Sequence, residues 1–217
     1  MSHLGRADWE DPKRIQGLIA SYSQRYGKKF WNAFHKLTGS EERNTIADFG
    51  CGPGLFLVDA IQYYKARNAY GFDKSENMLI YASHFLQEVL NPNDFVLKHV
   101  DFDKGEIPLY QDSIDLGFSG YLLHELKNPR KFVAEIQRLI QNNGLYVIYD
   151  FISGNPEAFE NIMFKQGMAR EKARKRYPHM CKHSLSDLHD ILRKSGFSSL
   201  DSIQLDEIRA IVKGIKG

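Results

Sequence analysis

The stretch Thr45-Ile46-Ala47-Asp48-Phe49 is an apolar run of strand length, and it leads without a break into Gly50-Cys51-Gly52-Pro53-Gly54 and then a helical pattern over 55–67. A chain passes from strand to helix this abruptly where side chains are removed from the bend. The glycines admit backbone angles closed to other residues, and they leave bare backbone at a helix N-terminus, where a bound molecule can approach closely. A dinucleotide-binding turn would carry its third glycine at position 55, where this chain has Leu55. Taken alone, the G-x-G-x-G spacing also fits a tight structural connection with no ligand.

The alternation of strand and helix continues. The pattern predicts a strand over 69–72 ending on Asp73, a helix over 75–90 stopped by Asn91-Pro92, strands over 95–100 and 114–118, a helix over 129–141 and a strand over 145–151. Such units imply an α/β fold with a doubly wound, mostly parallel sheet and helices on both faces. Two closing β segments, 198–204 and 208–213, are expected to pair as an antiparallel hairpin at the sheet edge, which makes seven strands in all. Ahead of the core, Asp11 caps a helix over Pro12–Ala20, and a second helix over 22–37 carries Tyr22, Tyr26, Phe30, Phe34 and Leu37 at helical spacing. The stretch after Asp150 is too long for a simple connection and reads as a helical insertion ending near Pro178, followed by a helix over 184–194 that starts at Ser184 and stops at Gly196. We see no internal repeat. One domain over 1–217 is expected: a helical cap (1–43), a core (44–151), a lid (152–183) and a closing helix with hairpin (184–217).

Composition excludes several classes. The 29 Lys and Arg residues against 27 Asp and Glu leave a net charge of +2, so the overall balance gives no reason to expect nucleic acid or an anionic membrane as partner. The 2 cysteines, Cys51 and Cys181, lie far apart, which argues against a disulfide framework or a zinc site; no metal is expected. Met1-Ser2-His3-Leu4-Gly5-Arg6 lacks the apolar core of a signal peptide and no apolar run spans a bilayer, so a cytoplasmic monomer or homodimer is expected. The local exception is Lys165, Arg170, Lys172, Arg174, Lys175 and Arg176 around Glu171. That run reads as a solvated helix face with a Glu171–Lys175 pair, or as a surface for an acidic acceptor or RNA.

In a doubly wound sheet, ligands sit beyond the C-terminal strand ends. A carboxylate there, as at Asp73, offers two acceptor oxygens at the spacing of a vicinal diol; its competing role is a helix N-cap, for which Ser75 is a rival. Together, Asp48-Phe49-Gly50-Cys51-Gly52-Pro53-Gly54 and Gly71-Phe72-Asp73-Lys74-Ser75-Glu76-Asn77-Met78-Leu79 resemble the class I S-adenosylmethionine-dependent methyltransferases of small-molecule type. The resemblance covers roughly 44–151 and implies a Rossmann-like fold that uses S-adenosylmethionine and releases S-adenosylhomocysteine. It implies that Asp48, Gly50, Cys51, Gly52 and Gly54 surround the cofactor, that Asp73, with Lys74 beside it, accepts from both ribose hydroxyls, and that Met78 packs against adenine. It further implies that Asp101-Phe102 holds the base, with Asp103 as a rival to Asp101, and that the backbone of Ser119 and Gly120 lies beneath the methionine part. The chain departs from the family's pattern at Asn142-Asn143, where a Pro-Gly or Gly-Gly turn is usual.

For this chemistry the enzyme must hold a nucleophile in line behind an already activated methyl group in a dry site. His124, just after the fourth core strand, is the candidate base, or else packs beside Leu123 and Leu126; Glu125 is the alternative base or a solvent-facing residue. His179 and His183 in the lid are candidate acceptor-pocket residues. Tyr22 could close over the cofactor, although its aromatic stripe also fits a core face. The expectation is methyl transfer to oxygen or nitrogen of a small-molecule acceptor. The alternatives are an RNA or protein methyltransferase using the basic insertion, and a non-catalytic S-adenosylmethionine-binding protein.

Overall fold

The computed structural model describes residues 9–217, so the first eight positions of the expected 1–43 cap lie outside the described residues. The chain opens with α1 (Pro12–Ala20), where Asp11 caps the helix by accepting from the Lys13 amide at 3.0 Å and Pro12 sits where no amide is needed. The aromatic stripe that follows is divided between two helices. A single turn, α2 (Tyr22–Arg25), is followed by α3 (Lys28–Thr38), with Gly27 in extended conformation between them. This corrects the continuous helix expected over 22–37. A Cβ on Gly27 would stand 2.7 Å from the Ser23 carbonyl oxygen, so the chain can double back there only without a side chain.

The core alternates as its pattern dictates: β1 (Thr45–Phe49), α4 (Leu55–Tyr64), β2 (Asn68–Asp73), α5 (Glu76–Leu86), β3 (Phe95–His99), β4 (Ile114–Gly120), α6 (Pro129–Leu139) and β5 (Ile140–Phe151). Helix α4 stops earlier than expected because Lys65 takes a left-handed conformation and its amide closes on Ile61. Strand β5 starts earlier than expected. Ile140 pairs with Ile114, the ladder slips over 141–144 with Asn143 at φ 64°, and regular pairing resumes at Leu145 opposite Leu116. Asn142-Asn143 thus lies in a bulge within a long strand rather than in a free loop.

The insertion forms two helices, α7 (Pro156–Lys165) and α8 (Arg170–Met180), the second continuing through Pro178. Then come α9 (Leu185–Lys194), with a reciprocal capping box between Ser184 and Asp187, and the hairpin β6 (Phe197–Asp206) and β7 (Arg209–Lys216). The seven strands are ordered β3-β2-β1-β4-β5-β7-β6; β7 and β6 run antiparallel at one edge and the rest are parallel.

This order positions the site. From β1 the chain winds outward through β2 to β3, then returns to β4 on the other side of β1, so a crevice opens beyond the C-terminal ends of β1 and β4. One face of the sheet is sealed by α3 and α4, with Phe30, Phe34 and Phe56 packed on Phe118; the other is sealed by α6 and α9, with Phe132, Ile136, Leu188 and Leu192 on Phe49 and Tyr146. Phe30 and Phe34 therefore belong to the core. The lid has its own small core of Phe159, Met163, Ala173 and Met180, joined to Phe151 and Ile208. Among the described residues, no helix is long and apolar enough to cross a membrane.

Candidate functional site

The glycine turn is tied down before any ligand is considered. The amides of Gly50 and Cys51 both donate to the Phe72 carbonyl, at 2.7 and 3.0 Å, and the Gly52 amide donates to Asp73 Oδ2 at 2.8 Å. Gly50, Gly52 and Gly54 all have positive φ (79°, 52° and 79°), a region that L side chains enter at a cost. Bare backbone is needed for packing as well as for angle: a Cβ on Gly54 would lie 2.9 Å from Ala82 Cβ and 3.0 Å from Ala82 Cα. Gly54 thus lets α4 and α5 approach each other, and it does not reach the cavity wall.

Asp73 also accepts from the Ser75 amide at 2.9 Å through Oδ1, so each of its oxygens already holds one backbone amide and has further lone-pair capacity. The helix-capping role falls to Ser75, whose hydroxyl accepts from the Met78 amide at 3.1 Å. Burial raises the Asp73 carboxyl above its ordinary pKa, against the two amides and Lys74, which pull it down. At the end of β1, Asp48 is only 2 % exposed and its Oδ1 has no hydrogen-bond partner. Burial, with the Asp73 charge adding to it, pushes this carboxyl well above the usual carboxylate range.

A single cavity of about 390 Å³ joins these groups. Its wall includes Asp48, Gly50, Gly52, Asp73, Lys74, Met78, Asp101 and Phe102, and also Tyr22, Arg25, Tyr26, Tyr121 and Glu125. Cys51 lines it too, its thiol buried and held well above its ordinary pKa by that burial and by the two aspartates. Asp101 is pinned in its turn by the Asp103 amide at 3.1 Å and by Lys104 at 3.1 Å; Asp103 instead accepts from the Lys127 amide at 2.9 Å. Tyr22 reaches the wall from α2 and donates to Asp59 at 2.6 Å. Tyr121 has φ 56°, rare for an aromatic residue, and its amide is held by the Tyr149 carbonyl at 2.7 Å.

Several expected site residues are placed elsewhere. Ser119 is fully buried, its hydroxyl 2.7 Å from the Tyr146 hydroxyl, because strand alternation turns it toward the α6 face; Gly120 is the β4 residue on the wall. His183 is half-buried and not on the wall; its carbonyl accepts from the Ser153 amide, and burial lowers its pKa. His124 is behind the wall, 4 % exposed. Its Nδ1 is 2.6 Å from Asp150 Oδ1 and its own amide donates to Asp150 Oδ2 at 3.1 Å, so the ring is clamped by one carboxylate at the end of β5. On the far side, Nε2 lies 3.6 Å from Glu125 Oε1, and Glu125 Oε2 lies 3.3 Å from His179 Nε2 on α8. Burial alone would lower the His124 pKa, but the Asp150 and Glu125 carboxylates outweigh it and lift it to about 9. Burial likewise opposes ionisation of Glu125, yet His124 and His179 hold it down at about 2. Glu125 does not face solvent: its side chain is 10 % exposed and lines the cavity. His179 reaches this carboxylate rather than the cavity itself.

The sequence reading missed Arg25 and Tyr121 as wall residues and Asp150 as the His124 clamp. For Asp150 a signal existed, a carboxylate closing the apolar strand Tyr146-Val147-Ile148-Tyr149. For the other two none did.

With this geometry established, residues 47–148 match the family model described as a methyltransferase domain. Residues 47–148 form a class I S-adenosylmethionine-dependent methyltransferase domain. Its cofactor is S-adenosylmethionine, and the site fits that molecule: a bare glycine cradle, a diol-spaced carboxylate at Asp73, and at Asp48 a buried carboxylate oxygen without a partner, suited to a cationic group. The chain is similar to an uncharacterized chloroplastic methyltransferase of Arabidopsis thaliana, with 29% identity over 73% of this chain and 44% of the relative. It is also similar to a demethylmenaquinone methyltransferase of Chlamydia felis, with 29% identity over 57% of this chain and 50% of the relative. The chain spans about half or less of the length of these curated relatives. In fold, it superposes on an S-adenosylmethionine-dependent methyltransferase of Aquifex aeolicus with a TM-score of 0.71 at 20% identity, covering 95% of this chain and 99% of the other. A phosphoethanolamine N-methyltransferase of Haemonchus contortus gives 0.68 at 16% identity, covering 98% and 60%.

Proposed function

We propose that this chain transfers the methyl group of S-adenosylmethionine to an oxygen or nitrogen of a small-molecule acceptor. The observation that carries this is the shared cavity, in which the donor-binding carboxylates and a second cluster of polar and aromatic side chains line one space of about 390 Å³. That volume lies near the low end for small-molecule sites, roughly 300–1,000 Å³. When bound, the sulfonium supplies a methyl group already activated for attack. The protein's part is to place the nucleophile and exclude water.

Asp73 accepts the ribose diol, while Asp48 gains the cationic partner it lacks. Tyr22, Arg25, Tyr26 and Tyr121 form the acceptor end, and α7 and α8 pack beside the Tyr121 side of it. Glu125, on the wall and ionised, accepts a hydrogen bond from the O–H or N–H of the acceptor and orients it. His124 is already protonated at neutral pH in this arrangement, so it acts as a positioning residue: Asp150 orients the ring, and the ring holds Glu125. The lid charges also favour a small acceptor. Glu160 of α7 pairs with both Arg170 and Arg174, and Lys175 pairs with Glu171, so three of the six cations of the basic run are already met by carboxylates.

The test is turnover with matched small acceptors carrying a hydroxyl or an amine, with S-adenosylhomocysteine release as the readout. Glu125→Gln is expected to lower kcat by about 10²-fold or more while leaving S-adenosylhomocysteine affinity within about threefold. Unchanged kcat would remove Glu125 from the reaction.

A further inference from the structure

The His124–Glu125–His179 cluster has the geometry of a ligand set. Among the described residues it is the group whose three imidazole and carboxylate ligand atoms all lie within 4.8 Å of one another. Bonds of about 2.0–2.2 Å to a tetrahedral ion put neighbouring ligand atoms roughly 3.3–3.5 Å apart. Here the Glu125 carboxylate reaches one imidazole with each oxygen, His124 Nε2 at 3.6 Å from Oε1 and His179 Nε2 at 3.3 Å from Oε2, and one ligand atom from each of the three residues falls within 4.8 Å of the others.

Two further observations point the same way. His179 Nε2 is buried and makes no well-aligned hydrogen bond, with Glu125 Oε2 facing it at 3.3 Å, although its side chain as a whole is 39 % exposed, so its nitrogen faces the cluster and not water. His124 is held by Asp150 through Nδ1, the carboxylate–histidine arrangement that fixes ring orientation and leaves Nε2 as the ligating atom once the ion displaces its proton. The lid is also fastened at this point: Lys182 donates to the Leu126 carbonyl at 2.8 Å, which holds the end of α8 over the 123–125 turn.

We propose that His124, Glu125 and His179 bind a divalent transition-metal ion of the zinc class at the cavity wall, with Asp150 as the carboxylate that orients His124. Two imidazoles and one carboxylate are borderline donors; calcium and magnesium call for more oxygens, and no thiolate is present to favour softer ions. Three protein ligands leave a coordination position open. Because Glu125 also lines the cavity, an ion held there would polarise an acceptor oxygen that reached the open position. This last role rests on the methyl-transfer reading; the site itself does not.

The test uses the full chain, stripped with a chelator and dialysed. Zn²⁺ is titrated against a chromophoric chelator, and Co²⁺ is added separately to read four-coordinate visible absorption. One ion per chain is expected, with no competition from Mg²⁺. His124→Ala and His179→Ala should each weaken Zn²⁺ binding about 100-fold or more, Asp150→Asn about 10–100-fold, and His84→Ala, an exposed residue of α5, not at all. His179→Ala decides the matter where His124→Ala does not fold, because His179 lies on an outer helix. Absence of stoichiometric zinc, or zinc bound equally well by His179→Ala, overturns the proposal. S-adenosylhomocysteine calorimetry on the same samples separates the two readings: donor binding without zinc removes only the metal site, whereas zinc without donor binding sustains it and removes the methyl-transfer reading.

Discussion

Replacing Asp73 by asparagine preserves the size of the side chain and removes its charge at the point where the cofactor's ribose is expected. Two effects follow from the geometry. Both carboxylate oxygens accept a backbone amide, Oδ2 from Gly52 at 2.8 Å and Oδ1 from Ser75 at 2.9 Å. Whichever way the new amide turns, its NH₂ group faces one of those N–H donors, so one half-buried donor loses its acceptor, at a cost of about 1–2 kcal/mol. The glycine turn and the start of α5 are loosened together. In the complex, two hydrogen bonds from the diol to a charged acceptor are also lost or weakened; at about 1.5 kcal/mol each this is about 3 kcal/mol. That corresponds to a rise in Kd of roughly 150-fold. Calorimetry with S-adenosylhomocysteine measures the binding part, and thermal unfolding without ligand measures the local part, expected as a fall in Tm of several degrees. A Kd within about threefold of the parent protein, with unchanged Tm, would refute the argument that this carboxylate both braces the turn and holds the diol.

Asp48 offers a test through pH. Its folded-state pKa is raised above the unfolded value of about 3.9, so its ionisation opposes folding increasingly as pH rises from about 4 through the folded pKa. Asp48→Asn should therefore melt higher than the parent at pH 7, lose that advantage near pH 3.5, and bind S-adenosylmethionine more weakly; a lower Tm at pH 7 would contradict this. Gly54→Ala is expected to destabilise by about 2–3 kcal/mol in urea unfolding, from its positive φ and from contact with the Ala82 backbone. Gly17→Ala, inside α1 with nothing within 4 Å of the new methyl group, should instead gain about 0.5–1 kcal/mol. Glu160→Ala should leave global stability within about 1 kcal/mol, since its arginine partners are largely exposed, but should speed hydrogen exchange and proteolysis in α7 and α8. Filter binding of single-stranded RNA at physiological salt should show no saturable complex; a tight, steeply salt-dependent one would move the acceptor class to RNA.

Features carried by neighbouring residues were legible in the chain alone. The passage from Phe49 through the glycines to Leu55, the caps at Asp11 and Ser184, the parallel core and the edge hairpin all follow from local angle preferences and apolar periodicity. The carboxylate at Asp73 was legible too, because a strand end in a doubly wound sheet has a known relation to the crevice. Residue-by-residue placement was less so. Ser119 and Gly120 are neighbours in sequence, yet strand alternation puts one against Tyr146 and the other on the cavity wall. Gly27 gave no sign that it would split the aromatic helix, because only the return of the chain toward Ser23 makes a side chain there impossible.

Local sequence therefore determined the scaffold and the glycine-turn wall of the cavity, where turn, cap and strand-end chemistry act over a few residues. The His124–Glu125–His179 cluster was decided by tertiary structure. Asp150 and His124, 26 residues apart, meet because β5 pairs beside β4, and His179 joins them only because the lid helices fold back over the 123–125 turn. No periodicity encodes such a meeting. It is set by how the sheet orders its strands and by where an inserted pair of helices finds apolar surface to cover, and both are properties of the packed whole.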